Sequence, residues 1–264
     1  AMNQNDLGKT WVHAAGIMML VFSFATLYSI VRDHMTENVY GATLDWQYLP
    51  LYTANHSMAW TCIWGFALSQ LPGVIARLYI MFGRYQLPNV LLWALNIRKE
   101  VGLISLFFLL CHAIMSVVIW IPGYFYWSYD DPTNPYSKFK WHIEASLFFG
   151  ITGFGLYVVL GICSLPSVSG MMNSRQWTFV YGVVAWMALI FGLLHNLLLG
   201  KNIMYDDYYW PDKIPHQTNM SCSLPILVLG IKIIQVMMYP FNCKGKPKTP
   251  ASTEDSLSVK EVDA

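Results

Sequence analysis

The chain has 264 residues, 55% of them hydrophobic and only 12% charged, with a formal net charge of +1 and a mean hydropathy of +0.40. A soluble domain carries about 25% charged residues, so this composition excludes an ordinary water-soluble fold and makes the bilayer the expected solvent. Near-neutral charge with no aromatic-interleaved basic patch excludes a nucleic-acid partner, and the five cysteines follow neither a zinc nor a disulfide spacing.

Six apolar stretches are predicted to cross the membrane, at residues 11–31, 54–77, 98–121, 143–165, 177–200 and 222–241. Each approaches or exceeds the ~20 residues that span ~30 Å of hydrocarbon at 1.5 Å per residue. The first follows AMNQNDLGK, which lacks a positive region and cleavage site, so it reads as a retained helix and not a signal peptide. The second ends before Pro88, and the third carries FFLLCHAIMSVVIW, with His112 among large apolar residues. The fourth ends at Pro166, and the fifth carries LIFGLLHNLLLG, with His195 among leucines. After the sixth, Pro240 precedes a segment containing KGKPKTPASTEDS and no apolar run. Residues 1–241 are therefore expected to form one six-helix transmembrane domain, and 242–264 a flexible cytoplasmic tail.

Loop charge sets the expected orientation. Lys9, Arg77, Arg84, Arg98, Lys99, Arg175 and the tail lysines fall on one side, whereas Asp33, Glu37, Asp45, Asp130, Asp131, Asp206, Asp207 and Asp212 fall on the other. The positive-inside rule places both termini in the cytoplasm. The expected fold is an all-α polytopic membrane protein with six transmembrane helices.

The two buried histidines share a depth in that arrangement. His112 stands ~14 residues, or ~21 Å, beyond the cytoplasmic start of the third span, and His195 ~18 residues, or ~27 Å, beyond that of the fifth. Both fall in the outer half of the membrane, where ionisable groups usually mark function. Two imidazoles at one depth on neighbouring helices can ligate one planar metal cofactor, and a b-type haem suits neutral imidazole. The alternative is plain helix-to-helix hydrogen bonding, each ring satisfied by a serine or a carbonyl. Small residues such as Gly102, Ala113 and Gly192 are candidates for close approach to a porphyrin.

Several longer motifs extend the pattern: IRKEVGLISLFFLLCHA, LGICSLPSVSGMMNSRQWTFV and LLHNLLLG, together with VRDHMTENVY, LPGVIARLY and IKIIQVMMYP. Over Trp11–Pro240 the chain resembles the transmembrane core of the STEAP family of metalloreductases. The resemblance implies six helices per subunit, one haem b per chain ligated by His112 and His195, and a homotrimer or family-related hetero-oligomer. It further implies electron transfer from a cytosolic donor to ferric or cupric ions outside, in a plasma or endosomal membrane. Arg98, Lys99 and Ser167 of the SLPSVS loop match its flavin-binding region.

Two departures shape the expectation. No GxGxxG lies before the first span, so NADPH is not expected to bind this chain, and the donor is expected to be a separate reductase or a neighbouring subunit. Where the family has a polar run after phenylalanine and valine, this chain has Tyr181, Gly182 and Val183, and Glu100 replaces a frequent glutamine beside Arg98 and Lys99. Both changes weigh against FAD. A non-enzymatic haem-binding structural or regulatory subunit is the second reading. Among smaller signals, His56, His142, Asp130, Asp131, Asp206 and Asp207 are candidates for attracting a cation. Lys232 reads as a snorkelling side chain. Asn219-Met220-Ser221 and Asn55-His56-Ser57 are candidate glycosylation sequons.

Overall fold

A computed structural model describes residues 4–35, 46, 49–84, 86–119, 130, 138–201 and 214–243. Helix α1 (Gln4–Ile30) runs into a π-helical turn at Val31–Met35, and a second such turn, Leu49–Thr53, leads into α2 (Ala54–Met81). Then follow α3 (Asn89–Ile119), α4 (Trp141–Cys163), the short α5 (Pro166–Ser169) and α6 (Ser174–Phe179), a π-helical turn at Val180–Val184, α7 (Ala185–Leu199) and α8 (Gln217–Cys243). No β-strand occurs among the described residues. Six helical segments are long and apolar enough to cross a membrane, so the all-α, six-span expectation holds.

Two boundaries differ from expectation. The third span begins at Asn89, not near residue 98. Pro88 opens it, its carbonyl accepting from the Leu91 and Leu92 amides, and Arg98 and Lys99 lie within the helix. The last helix continues through Pro240 to Cys243, so the expected boundary at residue 241 falls inside it. Of the anticipated tail, residues 244–264 lie outside the described residues.

In lipid, apolar burial gives little preference for helix association, so close backbone approach and interhelical hydrogen bonds become the discriminating forces. Helix α2 is the hub: half of its apolar window is buried, against 17–28% in the other five spans. It packs on α1, α3 and α8, while α4 pairs with α7. Ser105 of α3 donates to the Cys62 carbonyl of α2 at 2.5 Å, and Tyr157 of α4 donates to the Gly102 carbonyl of α3 at 3.0 Å. Asn196 of α7 donates to Ser221 of α8 at 2.6 Å, and Gln235 of α8 to the Val74 carbonyl of α2 at 3.3 Å.

Glycine sets the spacing at two crossings. A Cβ at Gly153 would come within 3.3 Å of the Gly192 nitrogen, which brings the backbones of α4 and α7 together. Gly192 thus contributes to helix packing, and the Gly102 carbonyl accepts the Tyr157 hydroxyl. A Cβ at Gly65 would lie 2.9 Å from the Ser105 Cβ and 2.8 Å from the Met18 sulfur. The methionine end can swing aside, but the Ser105 Cβ is fixed to α3. Gly65→Ala is accordingly expected to destabilise the detergent-solubilised protein by about 1–3 kcal/mol. Gly230→Ala, with open space around it, should be neutral or slightly stabilising; thermal unfolding of the two variants side by side checks this.

Candidate functional site

His112 of α3 and His195 of α7 face each other with ring centroids 6.5 Å apart and planes inclined at 63°. Each ring is anchored through one nitrogen. The His112 Nδ1 lies 2.8 Å from the side-chain oxygen of Asn55 on α2, and the His195 Nδ1 lies 2.8 Å from the main-chain oxygen of Ser146 on α4. The Ser146 hydroxyl adds a donor bond of 2.8 Å to the His195 carbonyl.

Those anchors determine the tautomers. A carbonyl oxygen only accepts, so each Nδ1 carries the proton and each Nε2 keeps its lone pair. Neither Nε2 has a hydrogen-bond partner among the described residues. Two metal–nitrogen bonds of about 2 Å, with the distance from each nitrogen to its ring centre, add to about 6.3 Å between centroids. The observed 6.5 Å matches one metal ion with an imidazole on either side. Among the described residues no group of three or more His, Cys, Asp or Glu side chains is placed to hold a metal. A metal ion held by this pair would take its other ligands from a non-protein group, as in a bis-histidine haem.

Gly150 makes the His195 anchor possible. A Cβ there would stand 2.7 Å from the Nδ1 and 3.0 Å from the Cε1 of His195. Ser146, Gly150 and Gly153 follow one another at helical i, i+4, i+7 spacing and form a small-residue face on α4. That spacing was the available sequence signal for a close helix contact. Asn55 was legible only as part of a sequon, yet its side chain is buried and committed to His112 and Ser116, so it is not a modification site. Asn219 is half-buried in the first turn of α8 and not presented on a loop.

A cavity of about 520 Å³ opens toward the other end of the bundle. Arg77, Arg98, Lys99 and Lys232 line it, with no aspartate or glutamate among its described lining residues. Trp177 and Tyr181 also line it, stacked at 4.3 Å and 23°, with the Tyr181 hydroxyl 3.0 Å from the Ser164 hydroxyl. The π-helical turn at Val180–Val184 carries Tyr181 and Gly182 in this lining. π-bulges of this kind often mark functional sites.

Arg98 and Lys99 therefore come together as expected. Ser167 does not join them: it is exposed on α5, and Ser164 lines the cavity instead. Glu100 is not among the cavity's lining residues; its carboxylate accepts from Thr10 of α1 at 3.3 Å. Lys232 does more than snorkel, since its ammonium lies 5.3 Å from the Trp186 ring centre and donates to Gln235 at 3.2 Å in the cavity wall.

The proposed cation-attracting residues are scattered. His56 packs on Tyr52 with centroids 4.3 Å apart, His142 is buried beside Trp141, and Asp130 is exposed. Asp131, Asp206 and Asp207 lie outside the described residues.

Comparison with known proteins agrees with this arrangement. Residues 77–192 match the family described as the ferric reductase like transmembrane component, a stretch that includes His112 and stops before His195. Human Metalloreductase STEAP2 is 27% identical over 235 residues, covering 83% of this chain and 48% of that protein. The mouse Metalloreductase STEAP2 is 25% identical over 84% of this chain and 49% of its own length. Rat Metalloreductase STEAP3 is 24% identical over 78% of this chain and 45% of its own length. The chain thus spans about half the length of the curated relatives it matches. It is an integral, multi-pass membrane protein that resembles the transmembrane core of the STEAP metalloreductases.

Proposed function

We propose that this chain is a haem-b electron-transfer protein of metalloreductase type, moving electrons from a cytosolic donor across the membrane to ferric or cupric ions. The observation that carries the reading is the histidine pair on α3 and α7, with ring centroids 6.5 Å apart and each ring anchored through Nδ1. Helix-to-helix hydrogen bonding alone accounts for the Nδ1 atoms but leaves both Nε2 atoms, deep in lipid, without a purpose. A haem bound there supplies a one-electron carrier. The protein's own contribution is to fix the ligands' tautomer and orientation and to keep water from the pair.

The basic cavity is the entry side in this reading, with both termini cytoplasmic by loop charge. Leu106 is its lining residue nearest His112 along α3, six residues or ~9 Å of helix rise away. The cavity thus shortens the long stretch of helix between His112 and the inner surface. A flavin nucleotide suits the cavity: four cations face a diphosphate, and the Trp177–Tyr181 stack offers an aromatic surface in place of the polar run. NADPH would then be oxidised on another polypeptide segment or subunit, within a homotrimer or a hetero-oligomer.

The test is expression with haem supply, a reduced-minus-oxidised spectrum, and reduction of an external ferric chelate by protein-containing liposomes loaded with reductant. A six-coordinate b-type spectrum with one haem per chain and chelate reduction is expected. A haem-free protein would end the reading, and haem without chelate reduction would favour the structural-subunit alternative. For the cavity, Arg98→Gln should weaken FAD binding about tenfold, the loss of one charge-assisted hydrogen bond of about 1.5 kcal/mol. Glu100→Gln should change it less than about twofold, because that carboxylate faces α1. Titration of flavin fluorescence against each variant distinguishes the two.

A further inference from the structure

We infer that Asn55 is a positioning residue that fixes the tautomer of His112 and thereby sets that histidine's strength as a metal ligand; the inference rests on the haem reading above. Asn55 stands at the start of α2 and is 6% exposed. Its oxygen lies 2.8 Å from the His112 Nδ1, and its amide nitrogen donates to the Ser116 hydroxyl at 3.2 Å. Ser116 is one turn beyond His112 on α3, and its hydroxyl is 3.4 Å from the same Nδ1. The Asn55 oxygen is the closer partner and makes the stronger bond.

The direction of this amide decides whether His112 can ligate. With the oxygen toward the ring, Nδ1 is protonated and the Nε2 lone pair is available. With the amide reversed, the NH2 group would donate to Nδ1, the proton would sit on Nε2, and no lone pair would face the metal. In the productive direction the Ser116 hydroxyl accepts from the amide nitrogen at 3.2 Å.

The two ligands are therefore tuned by different means. His195 is held chiefly by the Ser146 main-chain carbonyl at 2.8 Å, with the Ser146 hydroxyl 3.0 Å from the same Nδ1. His112 is held by a side chain that substitution can change. Partners of this kind orient metal-binding histidines and raise their basicity. A carboxylate in place of the amide would draw more on the Nδ1 proton and make His112 a stronger donor to ferric iron. An alkyl group would leave Nδ1 without its acceptor and make His112 a weaker one.

The experiment uses the full chain loaded with haem, a spectroelectrochemical redox titration and low-temperature EPR of the ferric state. At fixed ambient potential, Asn55→Asp should shift the ferric/ferrous ratio at least tenfold toward ferric, which is 59 mV for one electron. Asn55→Val should shift the ratio toward ferrous. Ser116→Ala, which releases the amide nitrogen and removes the longer hydroxyl contact to Nδ1, should broaden the low-spin EPR line with haem content retained. Opposite signs for the acid and the alkyl variant are the signature, since a merely structural role would move both the same way. Should Asn55→Asp fail to fold, Asn55→Gln carries the test. Its longer amide misplaces the oxygen, and an unchanged low-spin line would overturn the inference. Shifts of one sign, or none, overturn it while leaving the haem reading intact. A wild-type chain that binds no haem ends both.

Discussion

His112→Ala and His195→Ala are each expected to abolish the six-coordinate low-spin haem spectrum and to lower retained haem at least about a hundredfold. That magnitude exceeds the 10- to 100-fold typical for losing an outer partner of a metal ligand, because here the ligand itself is removed. The geometry gives no substitute. The ring centroids are 6.5 Å apart, and no third His, Cys, Asp or Glu joins them among the described residues. Asn55 and Ser146 are engaged with the Nδ1 atoms of the rings. His112→Met should behave differently. A thioether reaches iron and raises the potential, so haem is retained and reduced more readily. Absorption spectra and haem-to-protein ratios measure all three variants. A normal six-coordinate spectrum in both alanine variants would dismiss the ligand assignment.

Much of this site was legible in the sequence, for a definite reason. Ionisable groups in lipid are rare enough that His112 and His195 stand out, and helix rise alone brings them to similar depth. The six spans were legible because hydropathy over some twenty residues is a strong signal. The shell around the histidines was not. Asn55 stands beside His56 and Ser57 and spells a sequon, and only the crossing of α2 over α3 reveals that its amide faces His112. Charge also misled. Arg98 and Lys99 looked like the edge of a span because charged residues usually mark the interface, but the helix starts at Asn89 and both cations line a cavity. Glu100, their neighbour, points a different way because successive helical residues are ~100° apart, and it meets α1 instead. The turn at Val180–Val184 has no sequence signature at all, and it is the element that carries Tyr181 in the cavity wall.

The geometry at Gly150 leads to the second large effect. In a helix the carbonyl of residue i already accepts the amide of residue i+4, and the side chain at i+4 lies on the same face one turn away. The Ser146 carbonyl is therefore reachable from outside α4 only if position 150 is nearly bare. Gly150 provides that opening, and the His195 ring occupies it: a Cβ would fall 2.7 Å from Nδ1, 3.0 Å from Cε1 and 3.2 Å from Cγ. All three are rigid ring atoms, so the clash cannot be relieved by a flexible tip. The ring must move as a whole, which breaks its 2.8 Å bond to Ser146 and changes its placement against His112. Gly150→Val is expected to lose the low-spin haem signal almost as completely as His195→Ala, although no ligand is removed. Gly150→Ala should retain part of the haem, with a shifted EPR line. Gly155, five residues further along the same helix, has nothing within 4 Å of its would-be Cβ, and Gly155→Val should keep haem content and spectrum unchanged. Haem stoichiometry and EPR on the three purified variants measure this directly. Equal haem retention in Gly150→Val and Gly155→Val would mean that the ring does not need the opening on α4, and the anchoring of His195 through Ser146 would have to be abandoned.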